Sequence, residues 1–251
     1  MQSIKDSVKS FFRNFHYVLL LLLLISLPIS LIQTFVVDLR FEFIDVAQMQ
    51  EDPTGSLYKV AIYMLLTALL SSILTMLFIG VILLRKSDFE GKPVCFREIF
   101  EKSLTLLPKV WVTELLSGIL VCIGLMFFIL PGIILYYIFY MVPYAVVIRE
   151  EWGRYGLYVA SRYPRKHGRK VLGIILFDLI YRFVLTVGTS VIMQMGSFTG
   201  KRYALFSAGV LCLQNLFMCI PYVIIAGVAL SLPIDRGTQA MQKEDDTQAS
   251  V

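Results

Sequence analysis

Asp178 and Arg182 are the residues in this chain whose types and spacing best suit chemistry. They stand four apart in an otherwise apolar block, the spacing at which helix side chains meet, with the acid nearer the amino terminus. A charge at that depth in a membrane costs at least about 2.5–3.5 kcal/mol, so it is expected to face protein or water and to have a partner. Gln214 and Asn215, in the last apolar block, are expected at comparable depth, because the last two blocks run antiparallel. Glu114, near the start of an earlier block, is expected at the headgroup level.

Other kinds of chemistry find little footing. There is no G-x-x-x-x-G-K-[ST] loop for a nucleotide. His16 and His167 are the only histidines and no H-E-x-x-H occurs, which argues against a zinc hydrolase. Cys95, Cys122, Cys212 and Cys219 form no C-x-x-C pair, so they point to neither a disulfide nor a metal site and are expected as small apolar fillers. No catalytic group, cofactor or metal is expected. Basic runs can attract nucleic acid, but these flank apolar blocks and lack a recognition motif, so lipid headgroups are the expected partner.

The elements that must position these residues are membrane spans. A hydrophobic fraction of 57% with only 16% charged residues does not suit a water-soluble globule. A spanning helix takes about 20 apolar residues. Six blocks qualify, at about 17–37, 60–84, 110–129, 132–147, 171–193 and 204–232, with Pro131-Gly132 dividing the third from the fourth. The expected fold is all-α: one integral membrane domain over residues 1–251, ending in a short polar tail at 233–251. The first block resembles a secretory signal, but Pro28 is followed by Ile29, Ser30 and Leu31 with no A-x-A site, so it is expected to stay as an anchor.

Charge sets the expected orientation. Eighteen of the 23 Lys and Arg residues lie before the first block, after the second, after the fourth and in the tail. The intervening gaps hold only Arg40, Lys59, Lys201 and Arg202. By the positive-inside rule both termini are cytoplasmic. Three cytoplasmic segments also carry apolar residues at helical spacing: Ile4, Val8, Phe11 and Phe15; Phe96 to Leu107, after Pro93; and Trp152 to Tyr163, ending at Pro164. Such helices lie in the headgroup layer, basic residues toward anionic lipid. Arg162, Arg165, Lys166, Arg169 and Lys170 are the expected lipid contacts.

A resemblance enters through an ordered set of motifs. Leu130-Pro131-Gly132 is followed by Met141-Val142-Pro143-Tyr144, then Gly156-Leu157-Tyr158-Val159-Ala160-Ser161-Arg162, then Gly168-Arg169-Lys170. Over residues 110–180 this resembles the YciC-like bacterial six-span membrane proteins, related to the membrane domain found ahead of glycerophosphodiester phosphodiesterases. The resemblance implies a bacterial cytoplasmic membrane and no assigned activity. The sequence ends soon after the sixth block, so that phosphodiesterase activity is not expected here.

Two roles for the polar cluster follow. Asp178, Arg182 and Gln214 could line a polar cavity for an ion, a proton or a headgroup. Alternatively Asp178 neutralises Arg182, while Gln214 or Asn215 bonds across to hold helices together. The second is preferred, since one pair on one helix is thin support for a transport path and no matching broken helices are visible in two halves. The expected function is a non-catalytic scaffold, partner subunit or membrane-homeostasis factor. A small transporter or permease subunit is the alternative, and a lipid-related membrane enzyme or its accessory comes third.

Overall fold

The computed structural model describes residues 2–34, 53–93, 95–195 and 201–232. Most of the connector between the first two apolar blocks, residues 196–200 between the last two, and the polar tail therefore lie outside the described residues. The described residues form eight helices: α1 (Gln2–Arg13), α2 (Phe15–Ile32, with a π-helical stretch at Leu22–Ser26), α3 (Pro53–Phe89), α4 (Phe96–Phe127), α5 (Ile129–Phe139), α6 (Val142–Arg149), α7 (Gly153–Met195) and α8 (Lys201–Ser231). There is no strand among the described residues. Among the described residues six helical stretches are long and apolar enough to cross a membrane: α2, α3, α4, α5 with α6, α7 and α8. The chain is thus an all-α protein built for six spans.

The hairpin between α4 and α5 differs from the expected turn at Pro131-Gly132. Phe128 is the extended residue that ends α4, at φ −160° and ψ 148°. Pro131 instead falls in the first turn of α5, where a missing N–H costs no hydrogen bond. Gly132 lets the two helices close: a Cβ there would strike the Leu125 side chain and stand 2.9 Å from its backbone nitrogen.

Two of the three expected amphipathic segments are continuous with spans. Helix α4 starts at Phe96 and runs through Pro108. Helix α7 runs through Pro164 and breaks three residues later, at His167 (φ −133°, ψ 39°). There the Gly168 carbonyl accepts the Tyr137 hydroxyl at 2.9 Å. Helix α1 does stand apart, separated from α2 by a turn at Asn14.

The chain packs as two compact units. One comprises Met1–Phe15, Phe78–Arg182 and Ile220–Val251; the other His16–Leu77 and Phe183–Cys219. The first is centred on α6, whose Val142, Tyr144, Ala145, Val146, Val147 and Ile148 are all buried. A helix apolar on every side belongs in a core. Val110 of α4, Val159, Ala160 and Tyr163 of α7, and Ile225 and Ala226 of α8 complete that core. In the second unit Val18, Leu21 and Ile25 of α2 are buried, as are Met76 and Leu77 of α3 and Val210 and Cys219 of α8.

Helix α1 and the turn that follows it, in the first unit, have three edges through Phe15 rather than two. Ser7, Ser10, Phe11 and Asn14 are buried, Lys5, Lys9 and Arg13 form an exposed basic edge, and Val8, Phe12 and Phe15 are exposed on a third. The buried edge docks beside Gly227 of α8, where a Cβ would collide with the Ser7 hydroxyl and stand 3.1 Å from Arg85 Nε. Arg13 and Arg85 both pair with Asp88 at the end of α3.

Candidate functional site

Asp178 of α7 is 4% exposed, and its carboxylate binds two groups through one oxygen. Arg182 Nε donates to Oδ2 at 2.7 Å and the Tyr140 hydroxyl donates to the same atom at 2.6 Å. Oδ1 is buried with no hydrogen-bond partner. The expected helix pair therefore forms, and it has a third member that the sequence argument did not supply.

Tyr140 sits where the fourth span breaks. Helix α5 ends at Phe139, Tyr140 and Met141 form a turn, and Pro143 lies in the first turn of α6. The break leaves the tyrosine at the end of α5 with its hydroxyl on the Asp178 carboxylate. A buried phenol generally finds such a partner, so the tyrosines at 136, 137, 140 and 144, inside an apolar block, were the signal available in the sequence.

The Arg182 guanidinium also stacks on an aromatic column. Its carbon lies 5.4 Å from the Tyr222 ring centre, and Tyr222 stacks on Phe78 at 4.2 Å and 12°. Tyr144 approaches Tyr222 at 5.9 Å. Cation–π contact of this kind adds about 0.5–2 kcal/mol, the larger figure when desolvated. The pair is therefore held from three directions within one unit. Gln214 and Asn215 fall in the other unit, where Asn215 donates to the Ser26 hydroxyl at 2.9 Å.

Tyr140 has a second face. A groove of about 330 Å³ runs between α4 and the α5–α6 break, lined by Glu114, Ser117, Gly118, Tyr136, Tyr140 and Pro143 among others. The Glu114 carboxylate has no hydrogen bond or ion pair among the described residues. Tyr136 and Tyr140 meet edge to face at 6.0 Å. One helix position away from Glu114, Thr113 accepts the Gly153 backbone N–H at 2.9 Å, which ties α4 to the start of α7.

A charged rim closes the same unit. Glu150 occupies a left-handed conformation (φ 64°) at the end of α6 and takes both Lys102, at 2.7 Å, and Lys86, at 2.9 Å. The Lys102 ammonium, then that of Lys86, holds its carboxyl down at about 2 despite partial burial. Arg165, Lys166, Arg169 and Lys170 are exposed on both sides of the His167 break. Arg162 is partly buried instead, hydrogen-bonded to the Tyr158 hydroxyl at 2.6 Å and stacked on its ring. Among the described residues no three His, Cys, Asp or Glu side chains gather as a metal site would need. Cys95 and Cys122 are exposed rather than packed as fillers, and only Cys219 is buried.

A family model described as uncharacterised protein family UPF0259 matches residues 38–223, about three quarters of the chain. The chain belongs to UPF0259. No curated protein and no solved structure matches it. The UPF0259 match fits the YciC-like resemblance and carries no activity with it. It takes in Glu114, Tyr140, Asp178, Arg182 and Tyr222, while α1 lies outside it.

The motifs behind the resemblance turn out to be packing devices. Gly132 closes the α4–α5 hairpin, Pro143 restarts the fourth span, and Gly168 accepts Tyr137 at the α7 break. Gly156 admits Thr113 and Val146, since a Cβ there would stand 3.2 Å from each of their methyl groups.

Proposed function

We propose that this UPF0259 chain is a non-catalytic scaffold or partner subunit of the bacterial cytoplasmic membrane, its termini and basic rim on the cytoplasmic side. The observation that carries this reading is the double hold on Asp178 Oδ2 by Arg182 and Tyr140, with Arg182 held again by Tyr222. A group that carried an ion or proton would exchange its partners with water, whereas a pair fixed on three sides holds helices in register. The rim residues Arg165, Lys166, Arg169 and Lys170 meet anionic headgroups, each contributing about 1 kcal/mol near the surface.

The transporter reading draws on one specific feature, the broken fourth span beside an intramembrane acid. Transport folds place such breaks at binding sites, but in matched pairs from two halves. Water access separates the two readings. In a chain carrying Asp178→Cys with Arg182→Met, the thiol should resist a small water-soluble alkylating reagent in sealed vesicles while reacting fully after denaturation. Rapid labelling in the folded state would remove the scaffold reading.

A further inference from the structure

We propose that the groove between α4 and the α5–α6 break seats the ammonium of an amine-bearing phospholipid headgroup, with Glu114 as its counter-charge. This goes beyond the scaffold reading and does not depend on it.

The groove holds one acid, Glu114, and that acid is unanswered. Its carboxylate lies against a concavity of about 330 Å³ and has no hydrogen bond or ion pair among the described residues. A carboxylate in apolar surroundings stays ionised only beside a cation or a donor, and takes up a proton otherwise. The sign of the ionised group favours a cation over a phosphate or carboxylate as the group it meets. A divalent metal fits poorly, since Cys122 is the one other His, Cys, Asp or Glu in the lining and no three such side chains gather among the described residues. Organic ammonium fits best, because Tyr136, Phe139 and Tyr140 are among the other lining residues, and aromatic faces attract such cations.

Depth then selects the source. Thr113, beside Glu114, is bonded to Gly153, which follows the polar Glu150-Glu151-Trp152 connector. Trp111, one turn earlier on α4, is 40% exposed and is the type of residue that marks the interfacial belt. Helical side chains lean toward the amino terminus, so the Glu114 carboxylate is aimed back toward that belt. The carboxylate is therefore within reach of a headgroup, and the apolar lining residues Val121 and Phe139 suit acyl chains. The Tyr140 wall is fixed beforehand by Asp178, so little order remains to be gained on binding.

The test is lipid retention by the intact protein, measured by native mass spectrometry after exchange into detergent containing phosphatidylethanolamine, phosphatidylcholine or phosphatidylglycerol. The wild-type chain should keep phosphatidylethanolamine in preference to phosphatidylglycerol. Glu114→Gln should cut that retention about tenfold, leaving phosphatidylglycerol unchanged. Glu101→Gln, on the same helix but outside the groove, should change neither. N-acetylating the headgroup amine should abolish the preference of the wild-type chain, a result that needs no variant to fold. Equal retention of the amine and glycerol lipids, equal retention of the native and N-acetylated lipid, or no effect of Glu114→Gln would each overturn the proposal. Thermal stabilisation by a soluble alkylammonium without any by phosphatidylethanolamine would overturn the lipid source.

Discussion

Replacing Arg182 with Met leaves the Asp178 carboxylate, 4% exposed, with only the Tyr140 hydroxyl. Breaking a buried ion pair costs about 3–5 kcal/mol. The Arg182 side chain is 39% exposed, so part of that is already screened, and a loss of about 2–3 kcal/mol is expected. Tyr140→Phe removes one hydrogen bond, and such bonds inside membrane proteins average about 0.6 kcal/mol with a ceiling near 1.7. A 2.6 Å bond to a carboxylate belongs in the upper half of that range, so about 1 kcal/mol is expected. Both donors share Oδ2, so losing them together should cost more than the two single losses added. Asp178→Leu with Arg182→Met removes both charges and should recover most of what Arg182→Met loses. The assay is reversible unfolding in detergent for all four variants, with accumulation in membranes and a cellular phenotype alongside. Tyr140→Phe as damaging as Arg182→Met, or an apolar double variant no more stable than Arg182→Met, would refute the lock. A stable apolar double that has lost cellular function would refute the scaffold.

Glu150→Gly and Glu150→Ala both lose the Lys86 and Lys102 pairs, but only alanine keeps the left-handed penalty at φ 64°, so the glycine variant should be more stable by about 1 kcal/mol in thermal unfolding. The contribution of those pairs should be complete above Glu150's ordinary value of 4.5 and should fade as pH falls toward about 2, so wild type and Glu150→Gln should converge in stability over that window. Gly132→Ala should destabilise the α4–α5 hairpin, whereas Gly173→Ala, with nothing within 4 Å of its Cβ, should be neutral or stabilising by the same measurement. Cysteines placed at Asp52 and Gly200 should react with an impermeant thiol reagent outside intact cells, and those at Lys92 and Lys166 should not, in a background lacking the native cysteines; labelling of Lys92→Cys would reverse the proposed orientation.

The spans were legible because twenty apolar residues in a row admit few alternatives, and the Asp178–Arg182 pair because both members lie on one helix. Tyr140 was not, because 38 residues separate it from Asp178 and only tertiary packing brings them together. The hairpin turn was misplaced for a local reason. Pro131 and Gly132 are turn formers in isolation, yet proline is equally at home in a helix's first turn, and glycine there serves the approach of α4. The merged helices α4 and α7 reflect the limits of proline as a stop signal. Pro108 is exposed and Pro164 buried, and both are carried inside long helices, the real break in α7 falling beside a glycine whose carbonyl finds a tyrosine. Asn215 was expected near Asp178 by depth alone, and depth did not say which neighbour it would face.

The small-residue edge of α1 has a consequence for how the protein is made. Ser7 precedes the glycine it packs against, Gly227 of α8, by 220 positions. Until α8 has been inserted, Ser7 lacks that contact, and the pairing of Arg13 with Asp88 of α3 is the hold already within reach of α1. Helix α1 thus settles fully only after α8, and its docking reports that α8 has arrived.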